Sequence, residues 1–217
     1  MIRLKTGTKY ATGLAGVTLI LAGATIAPLS RNQKATFADA KLVAFVRPGL
    51  TIKITSASIA QDGTITTTFT LTDPQGLPLD RTGVQTPGPI SVTFIAATIP
   101  TGQTQYVDYV TRTQTGAVSG TVTQAAGESN GVFTPMGDAY QYRFTTRAPS
   151  GFNAAATHTI GIYGNRNLTE FDLGTNYASA TFNFIPNGSA VSVTRDVIRT
   201  QSCDRCHDQL ASHGAVL

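Results

Sequence analysis

The sequence predicts a mainly β protein, an antiparallel β-sandwich or an immunoglobulin-like Greek-key split barrel, with a short helical tail at its carboxy terminus. Three observations carry that prediction. From Leu50 to about Val193 apolar and polar residues alternate with period two, as strands with one buried face require. Residues that favour turns cut the alternation into short pieces, among them Asp62-Gly63, Pro87-Gly88-Pro89, Pro100-Thr101-Gly102, Asn130-Gly131, Pro149-Ser150-Gly151 and Asn187-Gly188. The composition agrees: 13% of the residues are charged, against roughly 25% in an average soluble domain, and 21 Gly and 10 Pro stand among 217 residues. That balance excludes a coiled coil, a helical bundle and a charged disordered tail, and the length suffices for one large β domain.

The first forty residues have a different character. Arg3, Lys5 and Lys9 precede an uncharged apolar run from Ala11 to Leu29, and no acid occurs before Asp39, which is the pattern of an export signal. Ala22-Gly23-Ala24, the stretch ending at Ala27 and Ala38-Asp39-Ala40 offer small-residue cleavage sites, so cleavage is expected between Ala24 and Ala40. An uncleaved amino-terminal anchor is the alternative, since the run approaches the length that spans a bilayer. Residues 1–40 hold five of the 16 basic and one of the 12 acidic side chains, which leaves 11 of each in the remainder. The formal charge of +4 therefore belongs to the export segment, and a basic stripe for nucleic acid is excluded.

Seven to nine strands are expected between residues 41 and 193. Ile52 and Ile54 form one run, and Ile65, Thr67, Phe69 and Leu71 share a parity in the next, with Asp62-Gly63 turning a hairpin between them. Asp73-Pro74-Gln75-Gly76 reverses or bends the chain. Further strands are expected at Ile90–Phe94, Tyr106–Val110, Tyr140–Phe144, Ile160–Ile162 and Phe182–Phe184, with no long helix before Val191. Gly116 to Gly137, rich in Gly, Ala, Ser and Thr, is expected to be an exposed hairpin or a long loop.

Within the body no catalytic constellation emerges. Tyr140 and Tyr142 share the parity of Phe144 and read as core aromatics with a hydrated hydroxyl, rather than as a sugar-stacking face. His158 shares the parity of Ile160 and Ile162 and reads as a structural residue rather than a ligand. Asp108, Asp138, Glu170 and Asp172 show neither calcium-loop spacing nor the pairing a hydrolase needs.

After Val193 the chain leads into Cys203-Asp204-Arg205-Cys206-His207, which holds both cysteines of the protein. Cys-x-x-Cys-His is the attachment signature of a c-type haem. On a helical turn residues three and four apart share a face, so Cys203, Cys206 and His207 address one object. The two cysteines would form thioethers with the haem vinyl groups, and His207 would be the proximal iron ligand. A redox disulfide and a zinc site are the competing readings; the first lacks a thioredoxin-like setting and the second lacks a fourth ligand. His213 lies six residues beyond His207, roughly 600° around a continuing helix, so it is a candidate axial ligand for a neighbouring haem rather than for the same one. An iron with no distal histidine would be open to small ligands, which makes a haem reductase the weaker reading beside an electron carrier that breaks no substrate bond.

Phe45-Val46-Arg47-Pro48-Gly49-Leu50, Asp62-Gly63-Thr64-Ile65, Leu71 to Asp80 and Thr86-Pro87-Gly88 resemble the amino-terminal β domain of the OmcA/MtrC family of decahaem c-type cytochromes. Cys203 to Gly214 resembles the first haem segment of that family, with Cys203 and Cys206 at the thioether positions, His207 at the iron and His213-Gly214 at a position serving another haem. The resemblance implies extracellular electron transfer through closely spaced haems. The implied partners are other multihaem cytochromes, outer-membrane electron-transfer proteins, metal oxides or soluble shuttles, and the implied location is the periplasm, the outer-membrane surface or the cell exterior. The chain departs from the family in ending ten residues after His207 with one motif where the family has ten, so a fragment of a longer cytochrome is expected. The expected organisation is thus an export segment over 1–40, a β-sandwich over 41–193 and the start of a haem-binding domain over 194–217. An exported β-sandwich used for binding or assembly, its terminal motif vestigial or metal-binding, is the alternative.

Overall fold

The computed structural model describes residues 34–118 and 120–195. Ten strands form two four-stranded antiparallel sheets and one separate two-stranded ribbon. In the first sheet the order is β1 (Thr51–Ile59), β2 (Thr64–Thr72), β8 (Ala139–Arg147), β7 (Val132–Met136). The second runs β10 (Thr175–Phe184), β9 (Thr157–Asn167), β3 (Ile90–Ile99), β4 (Val107–Asp108). The ribbon pairs β5 (Thr111–Gly116) with β6 (Gly120–Ala125). The fold is therefore mainly β and antiparallel, and no ladder joins the two four-stranded sheets into a closed barrel.

The alternation read from the sequence sets the faces. Ile65, Thr67, Phe69 and Leu71 are all buried, while Thr64, Thr66, Thr68, Thr70 and Thr72 line the outer side of the same strand. Asp62-Gly63 closes the β1–β2 hairpin: Gly63 has φ +81°, and the Asp62 carboxylate accepts from Thr64 N at 3.0 Å. Aromatic rings fill the space between the sheets, with Phe94 of β3 stacked on Tyr142 of β8 at 3.7 Å and 3° and meeting Phe69 of β2 edge-on at 5.4 Å. Tyr142 is fully buried and Tyr140 half-buried, so both are core aromatics as expected. Their hydroxyls, expected to be hydrated, instead bond protein: Tyr140 accepts from Arg81 N, and Tyr142 accepts from Gly131 N and donates to Glu128.

Two expectations need adjusting, and one short element is added. The described residues form ten strands, because the Gly116–Gly137 stretch contains β6 and β7 besides an exposed hairpin tip. The strand expected at Tyr106–Val110 contracts to the two residues of β4, since the chain turns away from β3 there to enter the ribbon. A short helix also forms, α1 (Ala40–Val46), seven residues long and so no exception to the expected absence of a long helix, capped by the Asp39 carboxylate, which accepts from Lys41 N and Leu42 N. The helical tail expected after Val193 lies beyond residue 195, outside the described residues.

Helix α1 covers one pole of the sandwich, where β1 begins and β2 and β9 end. Ala35 and Val46 pack with Leu168 and Leu173 in a second small core there. The opposite pole is formed by the end of β3, the start of β9 and the end of β10, which pair as Ile99 with Thr157 and Phe184 with His158. The ten residues of β3 run from one pole to the other, about 30 Å at the usual rise per residue.

Candidate functional site

The residues that position the chain for chemistry lie at three places: the helix-capped pole, one edge of the sandwich, and the opposite pole from which the carboxy-terminal segment departs. At the first, Arg166 is fully buried at the end of β9. Its Nη1 donates to Arg47 O at 2.7 Å and Gly49 O at 3.1 Å, its Nη2 to Val46 O at 2.7 Å, and its Nε and Nη2 both to Pro87 O. The guanidinium thus gathers the carbonyls at the end of α1 and of the Pro87 loop. Burial pulls its pKa down to about 10, with the neighbouring Arg47 charge adding to the effect and Asp73 opposing it. Arg47 in turn pairs with the buried Asp73 at 3.0 Å, and the Asp73 carboxylate accepts from Gln75 N and Leu77 N, which shapes the turn after β2.

At the edge, Glu128 reaches across the gap between the sheets. Its backbone exchanges two hydrogen bonds with Phe94 of β3, at 2.8 and 2.9 Å. Its carboxylate accepts from Tyr142 Oη at 3.0 Å, Thr145 N at 2.7 Å and Thr146 N at 2.9 Å, all on β8. Burial, with the Glu128 carboxylate adding to it, raises the Tyr142 phenol well above its ordinary value, so that hydroxyl stays a donor. The ribbon β5–β6 springs from the chain just ahead of this clamp. None of its described residues is buried.

At the far pole His158 is 1% exposed. Its Nδ1 lies 2.9 Å from Ala156 O, its Nε2 has no partner, and Tyr109, Phe152 and Phe184 surround the ring at 5.8 to 5.9 Å. The ring is enclosed by these side chains. Desolvation keeps the imidazole below its ordinary 6.5. Because the unfolded chain takes up that proton more readily, stability is complete above pH 6.5 and falls as the pH drops from there through the depressed folded value. Tyr109, whose phenol is raised by burial, stays neutral throughout this range and does not offset the effect. The denaturation midpoint is expected to decline below pH 6.5, and the His158→Phe variant to lack that part of the slope when both are followed by urea titration.

The chain leaves beside this pole. Thr157 Oγ1 donates to Val193 O at 2.8 Å, and Arg195 Nη1 donates to Thr104 O at 3.2 Å and to Gln105 Oε1. Cys203, Cys206, His207 and His213 follow, and all four lie outside the described residues. Among the described residues no three His, Cys, Asp or Glu side chains come together as a metal site. Of the scattered acids, Asp172 pairs with Lys34 at 2.9 Å, and desolvation raises the Asp108 carboxyl. No helix of the described residues is long and apolar enough to cross a membrane.

No protein-family model matches the sequence, and no curated protein matches it. The fold is similar to that in the crystal structure of MtrC from Shewanella baltica OS185, with 24% identity and a TM-score of 0.53 over 77% of this chain and 28% of that one. This chain therefore spans well under a third of the neighbour's length, and what the two share is an antiparallel β-sandwich fold.

Proposed function

We propose that the chain is an exported c-type cytochrome module for electron transfer, a β-sandwich that carries the first haem of a multihaem cytochrome. The observation behind this reading is the motif Cys203-Asp204-Arg205-Cys206-His207, which holds the only two cysteines and places a histidine directly after the second. The fold likeness to MtrC supports it independently of the motif. The donor set suits haem c: two thiols for thioether bonds and an imidazole for the iron, while the one buried histidine of the described body is walled in by aromatic rings. Haem c supplies a one-electron couple. Cys203 and Cys206 would hold it to the chain, His207 would ligate its iron, and His213 is the candidate ligand of a neighbouring haem. Multihaem cytochromes, outer-membrane partners, metal oxides or soluble shuttles are the acceptors this reading implies, at the periplasm, the outer-membrane surface or the cell exterior.

The export segment ends ahead of Lys34 in this reading, since Ala35 is buried against Val46, Leu168 and Leu173, and Asp39 caps α1. Cleavage after Ala24 or Ala27 keeps both contributions; cleavage after Ala40 loses them. Expression in cells that mature c-type cytochromes is expected to give a product with a Soret band and a mass raised by one haem, its amino terminus ahead of Lys34. Cys203→Ser should weaken or abolish attachment. A colourless product of apoprotein mass, with both cysteines open to thiol labelling, would overturn the proposal in favour of a β-sandwich binding module.

A further inference from the structure

Exposed apolar side chains are unevenly distributed over the molecule. Among the described residues, Phe37 (82% exposed) and Phe45 (64%) stand on the amino-terminal cap, Leu77 (50%) on the turn after β2, Val84 (85%) on the loop before β3 and Met136 (53%) at the end of β7. All five belong to the pole that α1 covers, because β2 and β7 end there and β3 begins there. Away from that pole the described residues expose Val107 (48%), Val132 (50%) and Val193 (45%) towards the other end and Val118 at the ribbon tip, with no aromatic side chain among them. Beside Phe37 an open groove runs between the cap and the turn after β9, lined by Leu42 and Phe171.

The sequence before residue 34 supplies a second, independent observation at the same pole. Only Ser30 to Gln33 separate Lys34 from the uncharged apolar run Ala11–Leu29, and four residues reach at most about 14 Å when extended. We infer that this pole seats on a phospholipid bilayer surface, with Phe37 and Phe45 entering the interfacial layer and Leu77, Val84 and Met136 touching it. Aromatic side chains at the end of an apolar run are the residues that settle at that depth. The five come from separate segments of one end, which suits shallow insertion into a fluid surface better than the contiguous packed core of a protein interface. Lys34, Lys41 and Arg81 stand among Asp39, Asp80, Asp138 and Asp172, so the pole carries no excess of positive charge and the attraction is apolar rather than to anionic lipid. The last described residues, Val193 to Arg195, lie beside the other pole, about 30 Å away along β3.

The chain contains no Trp, so single-Trp variants report depth directly. In the full chain with phosphatidylcholine vesicles carrying brominated acyl chains, Phe37→Trp, Phe45→Trp and Val84→Trp are expected to be quenched severalfold more than Val118→Trp at the ribbon tip or Val193→Trp at the far pole. Anchoring by a retained apolar run leaves that contrast readable. For the exported form lacking the run, Phe37→Ser with Phe45→Ser is expected to lower the fraction floating with vesicles by about tenfold or more, equally at low and high salt. Equal quenching at all five positions would overturn the inference, as would flotation unchanged by the double substitution or self-association through this pole without lipid. Neither readout depends on haem content, so failure here leaves the cytochrome reading standing, and the reverse holds as well.

Discussion

Arg166→Met is expected to destabilise the fold by about 3–5 kcal/mol, read as a shift of the urea or thermal midpoint. The replacement is of similar length and removes the cost of burying a charge, which by itself would favour the variant. Against that gain, it takes the donor from Val46 O, which is buried, and from Arg47 O, Gly49 O and Pro87 O, which are partly so, in the space that the fully buried guanidinium fills. An unpaired buried polar group costs about 1–3 kcal/mol, and four carbonyls outweigh the relief of one charge. Arg166→Lys keeps the charge and three donors but not the planar fork, so it should recover only part of the loss. The damage is expected to begin at the cap: residues 34 to 49 should become sensitive to protease before the sandwich unfolds, because Ala35 and Val46 lose their hold on Leu168 and Leu173. By contrast Lys34→Ala breaks an exposed pair with Asp172 and should change stability by less than about 1 kcal/mol.

The contrast between those two basic residues shows what was legible in the sequence. Strand parity was: Ile65 to Leu71, Tyr140 to Phe144 and His158 to Ile162 each turn inward as their alternation requires, because burial of one sheet face is a local, period-two constraint. Arg166 also has inward parity, eight residues after His158, yet an arginine near a strand end reads as solvent-exposed. Its partners come from residues 46 to 49 and from Pro87, distant in sequence, and only tertiary structure makes it a core residue. Helix α1 did carry a local signal, Asp39 before a run with helical propensity, but Leu42 to Val46 also reads as the apolar approach to a first strand. The haem motif is the opposite case. Its meaning is wholly in the spacing of Cys203, Cys206 and His207, and the fold contributes the pole from which that segment starts.

Glu128 was the least legible residue, a single acid within a stretch of Gly, Ala, Ser and Thr that reads as loop, and its removal carries the second large effect. Glu128→Ala is expected to cost about 3 kcal/mol or more, since the Tyr142 hydroxyl and the amides of Thr145 and Thr146 all lose a charged acceptor. Glu128→Gln separates charge from shape. Its single oxygen can replace Oε1, which serves Tyr142 and Thr145, but its amide nitrogen then faces the Thr146 N–H as a second donor, so about 1–3 kcal/mol is expected. Hydrogen exchange would locate the loss. Thr145 and Thr146 should lose protection in both variants, along with the Phe94 amide that pairs with the Glu128 carbonyl, while β1 and β10 on the other side keep theirs. The ribbon β5–β6 has no buried residue of its own and depends on this clamp for its position, so its amides should exchange freely once Glu128 is gone. A two-stranded ribbon held at one end by a buried carboxylate therefore behaves as part of the sandwich only as long as that carboxylate spans the gap between the sheets.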